Sequence, residues 1–288
     1  MTAIPLWLHF LVYVVAIWAG HREARRLRKK AGGSLPLQEV LHHAPYLYGM
    51  LALVFLPMLY GYGLSKYPKM EWALPLWVGH SLGPSIWCSV LFAYVFFSAL
   101  AVQVAFDSGH AERWKLPIAG LLLALIVESG HWLCTETALV DLRDPIIQGP
   151  VVIQTSPVSC AAASAASVLR AWGRETSERE MVQLLRTSRV LGTSDSQLVY
   201  GLATLGISCQ RATWTLSQLQ QQKPPLILFI RLSRRSPQED HAAVFAGTEH
   251  DRILVWDPAR GVTRYSHKDF LALWSGKALP CQHPSWAK

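Results

Sequence analysis

Four long apolar stretches in the first half of the chain constrain its fold more than any other feature. They run from about Ala3 to Gly20, Pro45 to Leu64, Pro84 to Phe106 and Leu116 to Cys134. Each has about the ~17–25 residues that a helix needs to cross the hydrocarbon core of a bilayer. The composition points the same way: the chain is 51% hydrophobic and 16% charged, with 12 Trp, whereas a soluble domain is about 25% charged. The first stretch has its positive charge after the apolar run, the reverse of the secretory order, and reads as a retained helix. The expectation is an α-helical transmembrane bundle of about four helices.

Lys and Arg in short loops set the orientation of such a bundle. The segment after the first stretch, "HREARRLRKK", carries Arg22, Arg25, Arg26, Arg28, Lys29 and Lys30. The next loop has only Lys66 and Lys69, and the third, "DSGHAERWK", is short and mixed. This places the basic segment in the cytoplasm and the N-terminus outside. Four crossings then put everything after about Thr135 outside as well. The formal net charge of +8 is dominated by that one block, which suits anionic membrane lipid rather than nucleic acid. No zinc-finger spacing, recognition helix or interleaved basic–aromatic strand supports a nucleic-acid partner.

From about Asp141 the pattern changes. "RDPIIQGP" supplies Pro145, Gly149 and Pro150 as linker punctuation. It divides the chain into residues 1–145, the transmembrane domain, and 146–288, a domain with a core of its own. The second part reads as three helices followed by strands. Ser159 to Trp172 is Ala-rich, with Ser159 at its N-cap and Gly173 as its stop. Ser177 to Arg186 opens on "TSERE", and a third helix is capped near Ser194 and closed by Gly206. Strands follow in "ISCQRAT", "PLILFIRL", "HAAVFAG" and "RILVWD", with a short helix over Leu216 to Gln222. Helices first and antiparallel strands later describe an α+β domain.

The chemistry gathers in this second part. Cys160 opens a helix, whose positive dipole end favours thiolate over thiol. A small cysteine in an Ala-rich helix is, taken alone, a packing residue. Downstream, "HAAVFAG" and "RILVWD" are joined by "TEHD", a hairpin connection. A turn centred near Glu249 would set His241 opposite Asp257, side by side on one face. The carboxylate then holds the imidazole in one tautomer, leaving its other nitrogen to take a thiol proton. The alternative is a surface ion pair on an exposed strand. Gln154, six residues ahead of the cysteine, leads into the helix. Its amide, with the backbone N–H at the helix start, would serve an oxyanion.

On these residues the second part resembles the double-glycine leader peptidases, papain-like cysteine peptidases that mature bacteriocins and related peptides. That family pairs a glutamine with a cysteine six residues later, as Gln154 and Cys160 do. Its histidine opens an "H-hydrophobic" strand and its aspartate closes the next in "D-P-x-x-G", matched by "DHAAVFAG" and "VWDPARG". "LGTSDSQL" and "PPLILFI" also follow its pattern, and the resemblance spans about Val151 to Gly276. It implies a papain-like fold with Cys160 as nucleophile, His241 as general base and then acid, Asp257 orienting it, and Gln154 holding the oxyanion. It implies no cofactor or metal, and a peptide or small-protein substrate carrying a leader cut after small residues.

The chain departs from that pattern in two ways. Ser159 and Ala161 stand where the family usually has an acidic residue and a glycine. Many members also precede an ATP-driven exporter, but no G-x-x-x-x-G-K-[ST] loop occurs here, so any exporter would be a separate partner. In those exporters the peptidase faces the cytoplasm, whereas the charge pattern here expects a bacterial inner-membrane protein with its peptidase domain on the extracytoplasmic side. An acyl-transfer (transamidating) enzyme using the same site, or a non-catalytic peptide-binding module on a membrane protein, are the alternative functions.

Other residues carry weaker signals. Glu128 and His131 share one face of the fourth apolar stretch, where ionisable groups suggest function, although His131 is close enough to the boundary to be interfacial. His42 and His43 precede a helix in a basic segment, with little to mark a metal site. Cys88 and Cys134 read as apolar filler. In an extracytoplasmic domain Cys209 and Cys281 are available to pair, leaving Cys160 reduced, although sequence does not fix pairings.

Overall fold

The computed structural model describes residues 6–30, 75–107, 136–233 and 241–282, with the isolated residues 32, 118, 122, 129 and 132. The chain divides into two compact units, Thr2–Trp132 and Leu133–Lys288.

In the first unit, helix α1 (Leu6–Lys30) packs on helix α2 (Leu76–Asp107). Ala16, Ala24 and Leu27 of α1 are buried with Leu91, Val95, Phe96 and Leu100 of α2. Gly20 allows the close approach: a Cβ there would meet the Phe96 carbonyl oxygen at 2.7 Å. The expected transmembrane bundle is corrected here. Among the described residues, no helix is long and apolar enough to cross a membrane. In α1 the reason is plain. The basic segment taken for a loop is helical, so α1 continues past Gly20 through the Arg and Lys residues to Lys30. A bilayer-length window beginning at Leu6 takes in His9 and the charged start of that segment. Helix α2 carries Gly79, His80, Gly83 and Pro84 in its first half. The stretch Pro45–Leu64, with His42 and His43, lies outside the described residues, as does Leu116–Cys134 with Glu128, His131 and Cys134, apart from isolated positions.

The second unit is α+β. A 3-10 turn (Ala138–Asp141) leads to a hairpin of β1 (Ile146–Gln148) and β2 (Val151–Ile153). Three helices follow: α3 (Cys160–Ala171), α4 (Glu178–Leu185) and α5 (Asp195–Ala203). Beyond them come β3 (Ala212–Thr213), α6 (Leu216–Gln220), β4 (Leu226–Ile230), β5 (His241–Glu249) and β6 (Arg252–Asp257). The last elements are β7 (Gly261–Tyr265), α7 (His267–Leu273) and β8 (Lys277–Leu279). Six strands form one antiparallel sheet in the order β3-β8-β4-β5-β6-β7.

The sheet is covered on both faces, which explains why "PLILFIRL" is apolar throughout rather than alternating. Ile227 of β4 joins Ala242 and Val244 of β5 in a core shared with α3, α4 and α5. Leu226, Leu228 and Ile230 turn the other way, toward Leu219 of α6 and Phe270 of α7. Helix α3 lies on the sheet because its small residues let it: Ala161, Ala162, Ala163, Ala165 and Ala166 are all buried. Its serines bond outward at the same time. Ser164 Oγ donates to the Ala242 carbonyl at 3.1 Å, and Ser167 Oγ accepts from the Val152 N–H at 2.9 Å. The start of α5 carries a full capping box between Ser194 and Gln197. At α4, Ser177 caps the Glu180 N–H, while the Glu180 carboxylate accepts from Thr176 Oγ1 at 2.7 Å. A disulfide between Cys209 and Cys281 ties the start of the sheet region to its end.

Candidate active site

Cys160 is the first residue of α3, half-buried and unpaired. Ser159 occupies the N-cap position, yet its side chain does not cap the helix. Instead its Oγ lies 2.8 Å from the Ser156 carbonyl and 2.5 Å from Glu178 Oε1. His241 is the first residue of β5 and Asp257 the last of β6, so both stand at one end of a hairpin whose turn is at the other.

That hairpin closes through His250 and Asp251, at φ of 45° and 61°, the two positive values of a type I′ turn, whose twist matches its strands. The register departs from the expected one. The turn lies at His250 and Asp251 rather than near Glu249, so Glu249 pairs with Arg252 and the ladder slips by three positions; a bulge between Phe245 and Gly247 takes one back, so that Val244 faces Trp256. Asp257 is therefore not directly opposite His241. The two lie diagonally on the same face, within reach of a long side chain. His241 Nε2 and Asp257 Oδ1 are 2.8 Å apart.

Both groups are buried, His241 at 5% and Asp257 at 0% exposure. Asp257 Oδ1 also accepts from the Ala259 N–H at 2.8 Å. Gly261 closes the "DPARG" turn at φ +82°, where a Cβ would also crowd Gln148 Oε1 at 3.0 Å. Burial alone pushes the His241 pKa down. Hydrogen bonds to Asp257 and Cys160 and the charges of both groups outweigh it, raising the pKa to about 9. Burial likewise pushes the Asp257 pKa up, but the His241 hydrogen bond and charge, with the Ala259 N–H and Arg260, leave it below the usual value. Since Nε2 is engaged by Asp257, Nδ1 is the ring nitrogen left to face Cys160.

Gln154 leads from β2 into α3. Its backbone N–H donates to the Pro258 carbonyl at 2.8 Å, linking the segment that leads to Cys160 to the residue after Asp257. Its side-chain Nε2 donates to the Ser156 carbonyl at 3.0 Å, and its Oε1 is buried without a hydrogen-bond partner. The structure thus brings Cys160, His241 and Asp257 together and sets Gln154 on the adjoining segment with one of its two N–H bonds committed.

Two contributors were not evident from the sequence. Ser164, one helical turn beyond Cys160, bonds the carbonyl next to His241 and so couples helix to strand. Glu178 reads in the sequence only as an acidic residue in the first turn of a helix. In the fold its carboxylate turns inward, where it accepts from the Thr155 N–H at 2.8 Å and Thr155 Oγ1 at 2.7 Å. Among the described residues, no group of three or more His, Cys, Asp or Glu side chains is arranged to hold a metal ion.

Comparison with known proteins agrees with the placement of these residues in one half of the chain. Residues 148–285 match the model of the Peptidase C39 family. An uncharacterized protein of Methanothermobacter marburgensis is 29% identical over 139 residues, covering 48% of this chain and 92% of that protein. Among solved structures, a double glycine motif protease from an AMS/PCAT transporter, in complex with the leader peptide, is 20% identical with a TM-score of 0.41. It covers 48% of this chain and 96% of that one. The peptidase domain of Streptococcus ComA, a bifunctional ABC transporter involved in a quorum-sensing pathway, is 22% identical with a TM-score of 0.41. It covers 45% of this chain and 94% of that one.

Proposed function

We propose that the Peptidase C39 domain over residues 148–285, a cysteine-type peptidase domain, removes a leader from a peptide or small protein through Cys160, His241 and Asp257. The observation that carries this reading is the 2.8 Å bond from His241 Nε2 to Asp257 Oδ1, with Cys160 near enough to the same imidazole to help raise its pKa. An imidazole held between a carboxylate and a thiol at a helix start is the arrangement that nucleophilic acyl transfer needs.

With its pKa raised to about 9, His241 is suited to take the Cys160 thiol proton. It is the base at the first step and, as the imidazolium so formed, the acid at the next. The Cys160 sulfur attacks the scissile carbonyl carbon, and the carbonyl electron pair moves to oxygen. The backbone N–H at the start of α3 and the remaining N–H of Gln154 are the donors offered to that oxyanion. The oxyanion collapses, the C–N bond breaks, and His241 gives its proton to the leaving amine. A water then attacks the thioester while His241 takes a proton from it, releasing the acid and returning Cys160 and His241 to their starting state. Asp257 stays ionised throughout and holds the ring.

The leader-bearing substrate rests on the resemblance carried by Gln154, Cys160, "DHAAVFAG" and "VWDPARG". A separate exporter is the partner that such a substrate implies. The Cys209–Cys281 disulfide supports placing this domain outside the reducing cytoplasm. The full chain incubated with a synthetic peptide whose leader ends in two glycines should release leader and core, and Cys160→Ala should abolish release. Cleavage that persists in Cys160→Ala at the wild-type rate overturns the assignment.

A further inference from the structure

We infer that Glu178 is a positioning residue for this site, its buried carboxylate fixing the segment that carries Gln154 and Cys160. The inference rests on the catalytic reading above and adds a residue to it.

The segment from Gln154 to Ser159 has no regular secondary structure to hold it. Internally it is gathered on one atom, the Ser156 carbonyl oxygen. That oxygen accepts from Gln154 Nε2 at 3.0 Å and from the Ser159 N–H at 3.4 Å, and Ser159 Oγ, whose one proton goes to the nearer Glu178 carboxylate, lies 2.8 Å from it. Such a knot fixes the shape of the loop but does not place it relative to the rest of the fold. Glu178 supplies that reference from outside. It stands at the start of α4 and is 2% exposed. Its Oε1 accepts from the Thr155 N–H at 2.8 Å and lies 2.5 Å from Ser159 Oγ. Its Oε2 accepts from Thr155 Oγ1 at 2.7 Å.

The two residues it engages are the one directly after Gln154 and the one directly before Cys160. One carboxylate therefore sets both the oxyanion donor and the nucleophile against α4. Helix α4 is in turn packed on α3 through Met181, Val182 and Leu185. Hydrogen bonds to an ionised acceptor are about twice as strong as neutral ones, which suits a clamp that must hold geometry rather than only fill space. Arg143 extends the same register, its backbone N–H donating to Thr155 Oγ1 at 3.0 Å, so this hydroxyl is committed as acceptor as well as donor.

Glu178 touches no reacting atom. Its removal should therefore lower kcat rather than raise KM, because a displacement of about 1 Å in a nucleophile costs on the order of 100-fold. The test uses the full chain and the double-glycine peptide, with site-resolved alkylation of Cys160 by iodoacetamide as a readout independent of substrate. Glu178→Gln keeps one acceptor oxygen and should lose about tenfold in kcat. Glu178→Leu should lose on the order of 100-fold. In both, KM should be unchanged and the alkylation rate at fixed pH should shift. Thr155→Val, which removes one hydroxyl from the clamp, gives a smaller loss of the same kind and serves if Glu178→Leu does not fold.

A folded Glu178 variant with wild-type kcat and wild-type alkylation overturns the inference, even if its melting temperature falls, because the residue is then structural only. Loss of kcat with unchanged alkylation and raised KM also overturns it, since that places Glu178 in substrate binding. Failure of the catalytic reading shows separately, as cleavage surviving in Cys160→Ala.

Discussion

The two halves of the site are held by different kinds of structure. His241 and Asp257 belong to one hairpin, sixteen residues apart, closed by a two-residue turn and joined side chain to side chain. Gln154 and Cys160 lie only six residues apart in sequence, yet their loop is placed by Glu178, which is nineteen residues beyond Ser159, and by Pro258 across the fold. The shorter interval thus depends on the longer-range contacts. Regular pairing carries its geometry within itself, whereas an irregular loop must borrow its geometry from its surroundings.

The hairpin half should show the largest effect when its charge is removed without changing its shape. Asp257→Asn keeps the volume but offers an amide to His241 and to the Ala259 N–H. It should lower kcat on the order of 10,000-fold, with KM little changed and the fold retained. Kinetics on the double-glycine peptide, beside a thermal melt, would check this. A loss no larger than that of Glu178→Gln would break the distinction, making orientation of the ring no more demanding than placement of the loop.

This contrast also explains what could be read from the sequence. Cys160, His241 and Asp257 were legible because each stands at the end of an element whose punctuation is local: a helix start, a strand start and the "DPARG" turn. The helices at Ser177 and Ser194 were legible from their caps. The turn at His250 and Asp251 and the bulge between Phe245 and Gly247 were not: the turn slipped the expected direct pairing by three positions, and the bulge took one back, which put His241 and Asp257 diagonally on one face. Glu178 was not legible either, because an acidic residue in a first helical turn has the same local signature whether it faces water or a buried loop. The β1–β2 hairpin, part of which was read as linker, was missed, as were strands β7 and β8 and helix α7. Tyr265 and Lys277 are partly exposed, and these elements take their identity from neighbours on the sheet rather than from strong periodicity of their own. The transmembrane expectation failed at α1 because apolar content was weighed without asking where the helix would end.

A second comparison sets covalent against non-covalent restraint. The Cys209–Cys281 disulfide spans a sequence separation of 72 residues, and closing a loop of that length restricts the unfolded chain by about 4 kcal/mol. Reduction, or Cys209→Ser with Cys281→Ser, should lower stability by about that much in chemical denaturation. Neither cysteine contacts the reacting groups, so kcat at low temperature should hold. A matching loss of kcat in a folded, reduced protein would show that the site draws on this tie as well as on Glu178.

The pH response sharpens the link between the halves, because His241 owes its shift to both. Its folded pKa, raised to about 9 from 6.5, means that it binds its proton more tightly folded than unfolded. The resulting stability is fully present below 6.5 and is lost as pH rises through about 9. Melting temperature should fall over that window. Cleavage should lose its acid on the same limb, by about tenfold per pH unit. In Cys160→Ala the fall in melting temperature should begin at lower pH, since one hydrogen bond and one charge that raise the pKa are gone. An unchanged profile in that variant would mean that Asp257 alone sets the imidazole, and that the nucleophile's half contributes nothing to it.

The smallest effect is expected where the hairpin's own turn is improved. His250 and Asp251 adopt positive φ without being glycine, a conformation that costs an ordinary side chain roughly 1–2 kcal/mol and Asn or Gly less. Replacing the pair by Asn-Gly gives up the contacts of Asp251 with His267 at 3.5 Å and of His250 with Glu249 at 4.0 Å, in which Asp251 is 90% and His250 92% exposed, and such exposed pairs contribute about 0–1 kcal/mol each. The net change should be a gain in stability of no more than about 1 kcal/mol, with kcat unaltered. Because Arg252 and Glu249 remain paired, the register and the bulge should persist and His241 should still meet Asp257. A change in kcat with this substitution would show that the turn communicates with the site along the strands. Unaltered kcat with a raised melting temperature is the behaviour of a hairpin whose catalytic end is set by the bulge and the buried pair, not by its tip.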